Sequence, residues 1–404
     1  MSEQVSYGGY AGQVLRVDLT AGLDRVEPLS KDWADRYVGG RGFVAKILYD
    51  EVPPGTDPLG PENKVVMAAG PLSGVLVPGC GKTHFGCKSP ATGGYGDSNV
   101  GGHLSPELKM AGYDVLVLEG TAAEPVVVVI DDSRVKVISA APYWGKGCIE
   151  AEAQLKRDLG EDFQIAAIGP AGEKLVKYAC ISHDFGRQAG RTGVGTVLGS
   201  KKVKAIAIRG TGTIPLADPA GLLALAKQMY RACFDKPGFK EWTPQGTAGV
   251  TDWVNQIGAF PTRNFSTSYF AGHRRINGER LRADIHLTDK GCMGCPIPCG
   301  KYSLAKVPMG EALVEGPEYE TIALIGGNCC LGDISEVAYA NYVCDELGLD
   351  TISAGNVVAF AMECYEKGVL SRERIGREVA FGDLESVVYL LRKIASREGI
   401  GDLL

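Results

Sequence analysis

GRQAGRTGVGTVLGSKKVKAIAIR, residues 186–209, decides the fold class of this chain. Arg187 and Arg191 stand among small residues, a pattern that suits bidentate contacts with phosphate oxygens. Gly193, Gly195 and Gly199 are spaced as G-x-G-x3-G, one residue too long for a dinucleotide fingerprint, and no clear βαβ unit opens there. The β-branched run that follows, 203–208, predicts a strand. Residues 13–19, 65–67, 115–118, 126–130, 135–138 and 164–168 predict more, with Gly, Pro, Asp and Asn between them. Helices are expected after Ser30 as an N-cap, over 43–49 and over 149–159. The texture changes near 211–219. Beyond it apolar residues recur at helical spacing over 219–236, 247–256, 334–347, 351–367 and 384–397. The expectation is an α+β protein without internal repeat: a β-rich domain over 1–212, then a mainly α-helical domain over 213–404. The closing GIGDLL does not read as a finishing element.

Composition narrows the function classes. The 404 residues carry 42 Lys and Arg against 48 Asp and Glu, a net charge of −6, which argues against nucleic acid as a partner. Hydrophobic residues are 45% and charged residues 22%, ordinary for a folded globular chain. Glycine is 55 of 404, about 14% and roughly twice the usual share, with no G-X-Y period. No signal peptide is visible at the N-terminus, and no apolar run approaches the ~18 residues of a membrane span. The expected setting is a reducing cytoplasm, where the 12 cysteines are metal ligands or core residues rather than disulfides.

Cys292-Met-Gly-Cys295-Pro-Ile-Pro-Cys299 is the strongest local signal. Three thiols at C-x2-C-x3-C can converge on one point. An iron–sulfur cluster takes four thiolates, and such runs supply three. Tetrahedral zinc, with His286 nearby in sequence, and three unliganded thiols are the alternatives. Cys329, Cys330, Cys344 and Cys364 read as core residues. Residues 70–102 are glycine-rich. Gly81-Lys82-Thr83 resembles the end of a P-loop, but Leu76 stands where that motif needs glycine. What remains is a set of backbone amides with Lys82, Lys88 and Asn99 for an anionic ligand, against the plain alternative of turns. In Asp345-Glu-Leu-Gly348-Leu349-Asp350-Thr351, Gly348 can close one helix and Asp350 cap the next. Carboxylates flanking such a turn can also accept from an amide-and-amino edge such as a pterin's. Glu315-Gly-Pro-Glu318-Tyr-Glu320 leads into an apolar stretch, where partial burial would raise a carboxylate toward the range useful for acid–base work.

Taken together, GQVLRVDL, GGRGF, DPLGPENK, AAGPLSG, KSPATGG, LKMAGYD, AAIGPAGE, GRQAGRTGVG, CMGCPIPCG, EGPEYET and CDELGLDT resemble, in order, the tungsten-containing aldehyde ferredoxin oxidoreductases over nearly the whole chain. The resemblance implies one tungsten or molybdenum between the dithiolenes of two pterins beside a [4Fe–4S] cluster. It implies a β-rich base under the pterins and helical domains above. Cys292, Cys295 and Cys299 would be cluster ligands. Asp345, Leu349 and Asp350 would contact one pterin, and Arg187, Gly190 and Arg191 would sit against the same cofactor. Asn99 and Gln188 would lend backbone carbonyls to a magnesium bridging the pterin phosphates. Lys82 stands where the family commonly has Arg, keeping charge but losing the fork. Glu320 matches a glutamate near the metal. The implied activity is aldehyde oxidation, with electrons passing to ferredoxin or a small iron–sulfur subunit. A benzoyl-CoA-type reductase subunit and a non-catalytic iron–sulfur or zinc relative are the rivals. Family chains continue for roughly another third, with the fourth cluster Cys, a second pterin Asp motif and a His, so a completing segment in cis or trans is expected. Some members bridge a dimer through an E-x-x-H iron site. Tyr339-Ala-Asn-Tyr342 aligns there, so a homodimer would not use that metal.

Overall fold

The computed structural model describes residues 7–404. They form two compact units. The first runs to Asp235 and takes in Cys292–Pro296; the second comprises Lys236–Gly291 and Ile297–Leu404.

Twelve strands of the first unit make two sheets. One holds β1 (Gln13–Asp18), β2 (Leu23–Pro28), β3 (Val65–Ala69), β4 (Thr83–Lys88), β5 (Tyr95–Val100) and β6 (Val115–Glu119), in the order β2-β1-β6-β3-β4-β5. The other holds β7 (Val126–Asp131), β8 (Arg134–Ser139), β9 (Gln164–Ala167), β10 (Ile181–His183), β11 (Arg187–Ala189) and β12 (Val203–Arg209). Its order from the hairpin inward is β8-β7-β12-β9-β10-β11. The two orders are the same. In each sheet the first strand pairs in parallel with the last, β1 with β6 and β7 with β12, while every other neighbour is antiparallel. The unit is therefore a topological duplication. The expected absence of a repeat is corrected here, because pairing order depends on burial pattern and not on residue identity.

Both faces of the central strands of each sheet are buried, while the hairpin strands β2 and β8 are largely exposed. Leu15, Val17, Met67 and Leu118 share one core with Val128, Ile130, Ile206 and Ile208. The opposite face of the first sheet (Val14, Val66, Val117) lies under the helices Lys31–Tyr37 and Arg41–Glu51, and that of the second (Val127, Ala205, Ala207) under Cys148–Leu159. Burial on both sides explains why these strands read as continuous apolar runs. The strands β4 and β5 lie inside the glycine-rich stretch read as turns. THFGCK and YGDSNV have little strand propensity, and pairing to β3 makes them strands. Ser30 has the extended backbone of an N-cap but makes no side-chain capping bond, against expectation.

The second unit carries an antiparallel sheet of β13 (His286–Lys290), β14 (Gly300–Val307) and β15 (Gly310–Glu315). The helices Ile334–Leu347, Thr351–Glu366 and Leu384–Ser396 form as their spacing predicts. Residues 247–256 split into a 3-10 turn and the short helix Thr251–Gln256. The stretch Ile322–Gly327 widens into a π-helical turn, which the sequence does not announce. A short helix, Ile400–Leu403, follows Gly399. Among the described residues no helix is long and apolar enough to cross a membrane. All twelve cysteines are unbridged.

One buried pair ties the start of the chain to the first sheet. Asp114 accepts from Gly12 N at 2.7 Å, from Ala11 N at 3.1 Å and from Lys109 Nζ at 3.1 Å, and both side chains are at most 1% exposed. Burial pushes the Lys109 ammonium below its ordinary pKa and the Asp114 charge opposes that shift. Asp114→Ala should cost about 3–5 kcal/mol in denaturant unfolding, because it strands a buried cation.

Candidate cofactor and metal site

The edge strands β5 and β11 hold the same place in the two halves of the first unit. Asn99 and Gln188 are each the penultimate residue of their strand, followed by one apolar residue and a glycine. Ser98 Oγ donates to Gly190 O at 2.5 Å, and Ser89 Oγ donates to Thr192 O at 2.7 Å. Asn99 is exposed. The Gln188 amide is engaged internally: Nε2 donates to Ser182 Oγ at 3.1 Å and Oε1 accepts from Cys180 Sγ at 3.0 Å. Arg191 and Thr192 hold left-handed backbone, φ 60° and 52°, before Gly193 at 75°. Two non-glycine residues in this region cost about 1–3 kcal/mol each, and such strain clusters at ligand sites.

Arg187 begins β11 and reaches the cysteine loop. Its Nη1 donates to Cys292 Sγ at 3.3 Å, while Nε lies 3.4 Å from Asp184 Oδ2. A Cβ at position 101 would lie 2.5 Å from Cys292 Sγ and 3.1 Å from Arg187 Nη1, so only glycine admits both. The loop turns at Cys295 N→Cys292 O, 3.1 Å, and hangs on Met293 N→Gly102 O, 3.3 Å. Cys80 Sγ donates to Met293 O at 3.2 Å, and Tyr230 OH donates to Gly294 O. Burial pushes the Cys80 thiol upward, as suits a packed thiol behind the loop. Lys82 is exposed, and its carbonyl accepts from Ser105 Oγ at 2.8 Å. Across from Asn99 on β4, burial holds the His84 imidazole below its usual pKa. The positive charges of Arg41 and Lys82 add to that, against the pull of Asp97. Arg41 Nε pairs with Asp97 Oδ2 at 2.8 Å. The sequence reading singles out neither Arg41 nor His84 by role; the signal available is Arg41 inside Gly39-Gly40-Arg41-Gly42.

The second unit holds the other named residues. Cys299 is half-buried, and its N–H donates to Ile297 O at 2.8 Å. Gly348 is left-handed at φ 72° and ends the helix Ile334–Leu347. Asp345 is 1% exposed and accepts from Asn341 Nδ2 at 2.7 Å; Leu349 is fully buried. Asp350 Oδ2 accepts from Ser353 N at 2.9 Å, so the capping role is real. Burial, with the nearby carboxylates of Asp345 and Asp350, drives the Cys344 thiol well above its ordinary pKa. Thr321 and Thr351 share a hydroxyl contact of 2.9 Å, which sets the Glu320 and Asp350 segments side by side. Of the three carboxylates in this stretch Glu315 is buried and Glu318 half-buried, as expected, whereas Glu320 is exposed on the short helical turn before the chain widens at Ile322. Cys329 and Cys344 are fully buried as core residues, whereas Cys330 and Cys364 are half-buried. His286 Nε2 lies 2.9 Å from Asp289 Oδ1, an ion-pair partner rather than an uncommitted ligand.

Comparison with known proteins gives the family. Residues 14–210 match the N-terminal domain of aldehyde ferredoxin oxidoreductase, and 224–404 match its domains 2 and 3. The chain belongs to the aldehyde ferredoxin oxidoreductase family. It is 41% identical over 403 residues to the tungsten-containing aldehyde ferredoxin oxidoreductase of Pyrococcus furiosus, covering 98% of this chain and 66% of that one. It is 34% identical to the WOR-like subunit of an aliphatic sulfonate oxidoreductase from the same organism, at the same coverage. Among solved structures it is similar to the active-site complex BamBC of benzoyl coenzyme A reductase with 1,5-dienoyl-CoA. There the TM-score is 0.88 and the identity 30%, over 98% of this chain and 62% of the other. The chain thus spans about two thirds of the length of these relatives.

Capping and any further role of Asp350 separate experimentally. Asp350→Ser should keep the cap and leave stability within about 0.5 kcal/mol, whereas Asp350→Ala should lose about 1 kcal/mol in thermal unfolding.

Proposed function

We propose that this chain is the cofactor-bearing part of an aldehyde oxidoreductase that converts an aldehyde and water to a carboxylic acid, two protons and two electrons. The observation that carries the reading is the Arg187–Cys292 contact at the end of the paired edge strands. It joins the anion-suited segment of the β-rich base to the cysteine loop.

The residues present fit the implied groups. Cys292, Cys295 and Cys299 supply three soft donors on one loop, the chemistry an iron–sulfur cluster requires. Arg187 offers a charged donor to a ligand sulfur, which steadies a thiolate. The edge strands β5 and β11 present backbone groups outside their own ladders, which suits Asn99 and Gln188 as carbonyl ligands of a magnesium between two phosphates. Lys82, Arg187 and Arg191 would balance the phosphate charge, with Gly190 in the same strained segment. Asp345 and Asp350 would accept from the pterin edge across the Gly348 turn, with Leu349 packed between them. When bound, a tungsten or molybdenum bis-pterin would supply a two-electron acceptor, and a [4Fe–4S] cluster held by Cys292, Cys295 and Cys299 would supply a one-electron relay toward a ferredoxin-type partner. The role proposed for Glu320 is to hold and release the substrate or water proton; its exposure supports access. The likeness to benzoyl coenzyme A reductase favours one second reading, a ring-reducing aryl-CoA reductase subunit.

Anaerobic purification from a tungstate- and molybdate-supplied host, with the complete reading frame and neighbouring subunits, tests this. The expected result is tungsten or molybdenum with about four iron per chain, viologen reduction by aldehydes and none coupled to aryl-CoA. Glu320→Gln should lower the rate 10²–10⁴-fold with metal content unchanged, the range for removing a general acid–base group. Zinc alone, or aryl-CoA turnover without aldehyde turnover, would sink the proposal.

A further inference from the structure

A second constellation in the first unit adjoins the cysteine loop, with Gly102 and Arg187 between them. One ring nitrogen each of His103 and His183 and a carboxylate oxygen of Asp184 all lie within 4.8 Å of one another, and His103 Nδ1 is 3.8 Å from Asp184 Oδ2. His183 is fully buried, and its Nδ1 lies 2.8 Å from Ile165 O. A carbonyl only accepts, so the proton sits on Nδ1 and the Nε2 lone pair faces the other two groups. That is the arrangement in which a histidine serves as a metal ligand, its tautomer fixed by a backbone carbonyl. Glycine at position 102 leaves room beside this nitrogen, since a Cβ there would lie 2.6 Å from His183 Nε2. Asp184 is held from behind, because Glu152 accepts from Asp184 N at 3.1 Å and from Phe185 N at 2.9 Å, with both residues in left-handed backbone. The His103 side chain is 39% exposed and opens the group to solvent.

We propose that His103, His183 and Asp184 form a binding site for a divalent first-row transition cation such as zinc, cobalt or nickel. Two imidazoles and one carboxylate suit these metals rather than magnesium or calcium, and three protein ligands leave the remaining positions to water. Present contacts are displaced or shared on binding. His103 N donates to His183 Nε2 at 3.1 Å, and Arg187 Nε lies 3.4 Å from Asp184 Oδ2. The cation therefore displaces an amide hydrogen bond and shares the carboxylate with a guanidinium. The site is accordingly a moderate binder that responds to metal supply. It is distinct from the cysteine loop in donor chemistry, having no sulfur.

Titration of the purified full chain with Co²⁺ tests the site independently of the cofactor reading. The expected result is a visible d–d band that saturates at one equivalent. Cys292→Ser should remove any near-ultraviolet sulfur-to-cobalt charge transfer and leave that band in place. His103→Ala removes a half-exposed side chain, and Asp184→Asn preserves shape. Each should weaken Co²⁺ at least by the roughly 10–100-fold that loss of an outer-shell partner costs, with circular dichroism unchanged. Absence of a sulfur-free band, or full affinity in His103→Ala, overturns the proposal and leaves the cysteine loop's assignment untouched.

Discussion

Two serine hydroxyls hold the halves of the first unit in register. Ser98 and Ser89 donate to the backbone carbonyls of Gly190 and Thr192, so the edge of one sheet is hydrogen-bonded to the segment leaving the edge of the other. What the first unit is proposed to offer a cofactor depends on this seam. It sets Asn99 and Gln188 at matching positions, forces Arg191 and Thr192 into strained backbone, and starts β11 with Arg187 aimed at Cys292. A neutral hydrogen bond contributes only about 1 kcal/mol net. Its structural weight comes from where it acts, at the edges of two sheets that already share a core.

Much of the fold was legible because burial leaves a mark on residue choice. The runs 126–130 and 203–208 read as strands since both their faces are covered, and 334–347 and 351–366 read as helices from spacing and from Gly348 and Asp350 between them. The strands β4 and β5 were not legible. Gly86 admits the close approach of Val44 and Leu48, and Ser98 serves the seam, so local propensity points away from the structure that pairing imposes. The duplication was hidden for the same reason. Two sheets with one pairing order share no motif, because topology is written in which face is buried.

The candidate site was legible as chemistry and much less as geometry. C-x2-C-x3-C declares metal-binding donors at any distance from their partners, and the Arg187–Arg191 segment declares an anion. Nothing in the spacing says that Arg187 meets Cys292 across 105 positions, or that Glu320 stands exposed at the mouth of a widened helical turn. The triad of His103, His183 and Asp184 is equally silent in sequence, since 80 residues separate its imidazoles. Such convergences come from tertiary structure alone.

The route of the chain through the first unit has a kinetic consequence. Residues up to Asp235 build that unit, the chain then leaves for Lys236–Gly291, and only afterwards does Cys292–Pro296 return to it. Closing an excursion of about 56 residues costs roughly 3–4 kcal/mol of chain entropy. Domains emerging from the ribosome fold first at their N-terminal end. The β-rich base therefore forms while the cysteine loop is still unmade, and the loop docks only after the intervening segment has been made. During that interval Arg187 and the strained segment after β11 face solvent, so the anion-suited half of the site is formed before its sulfur half arrives.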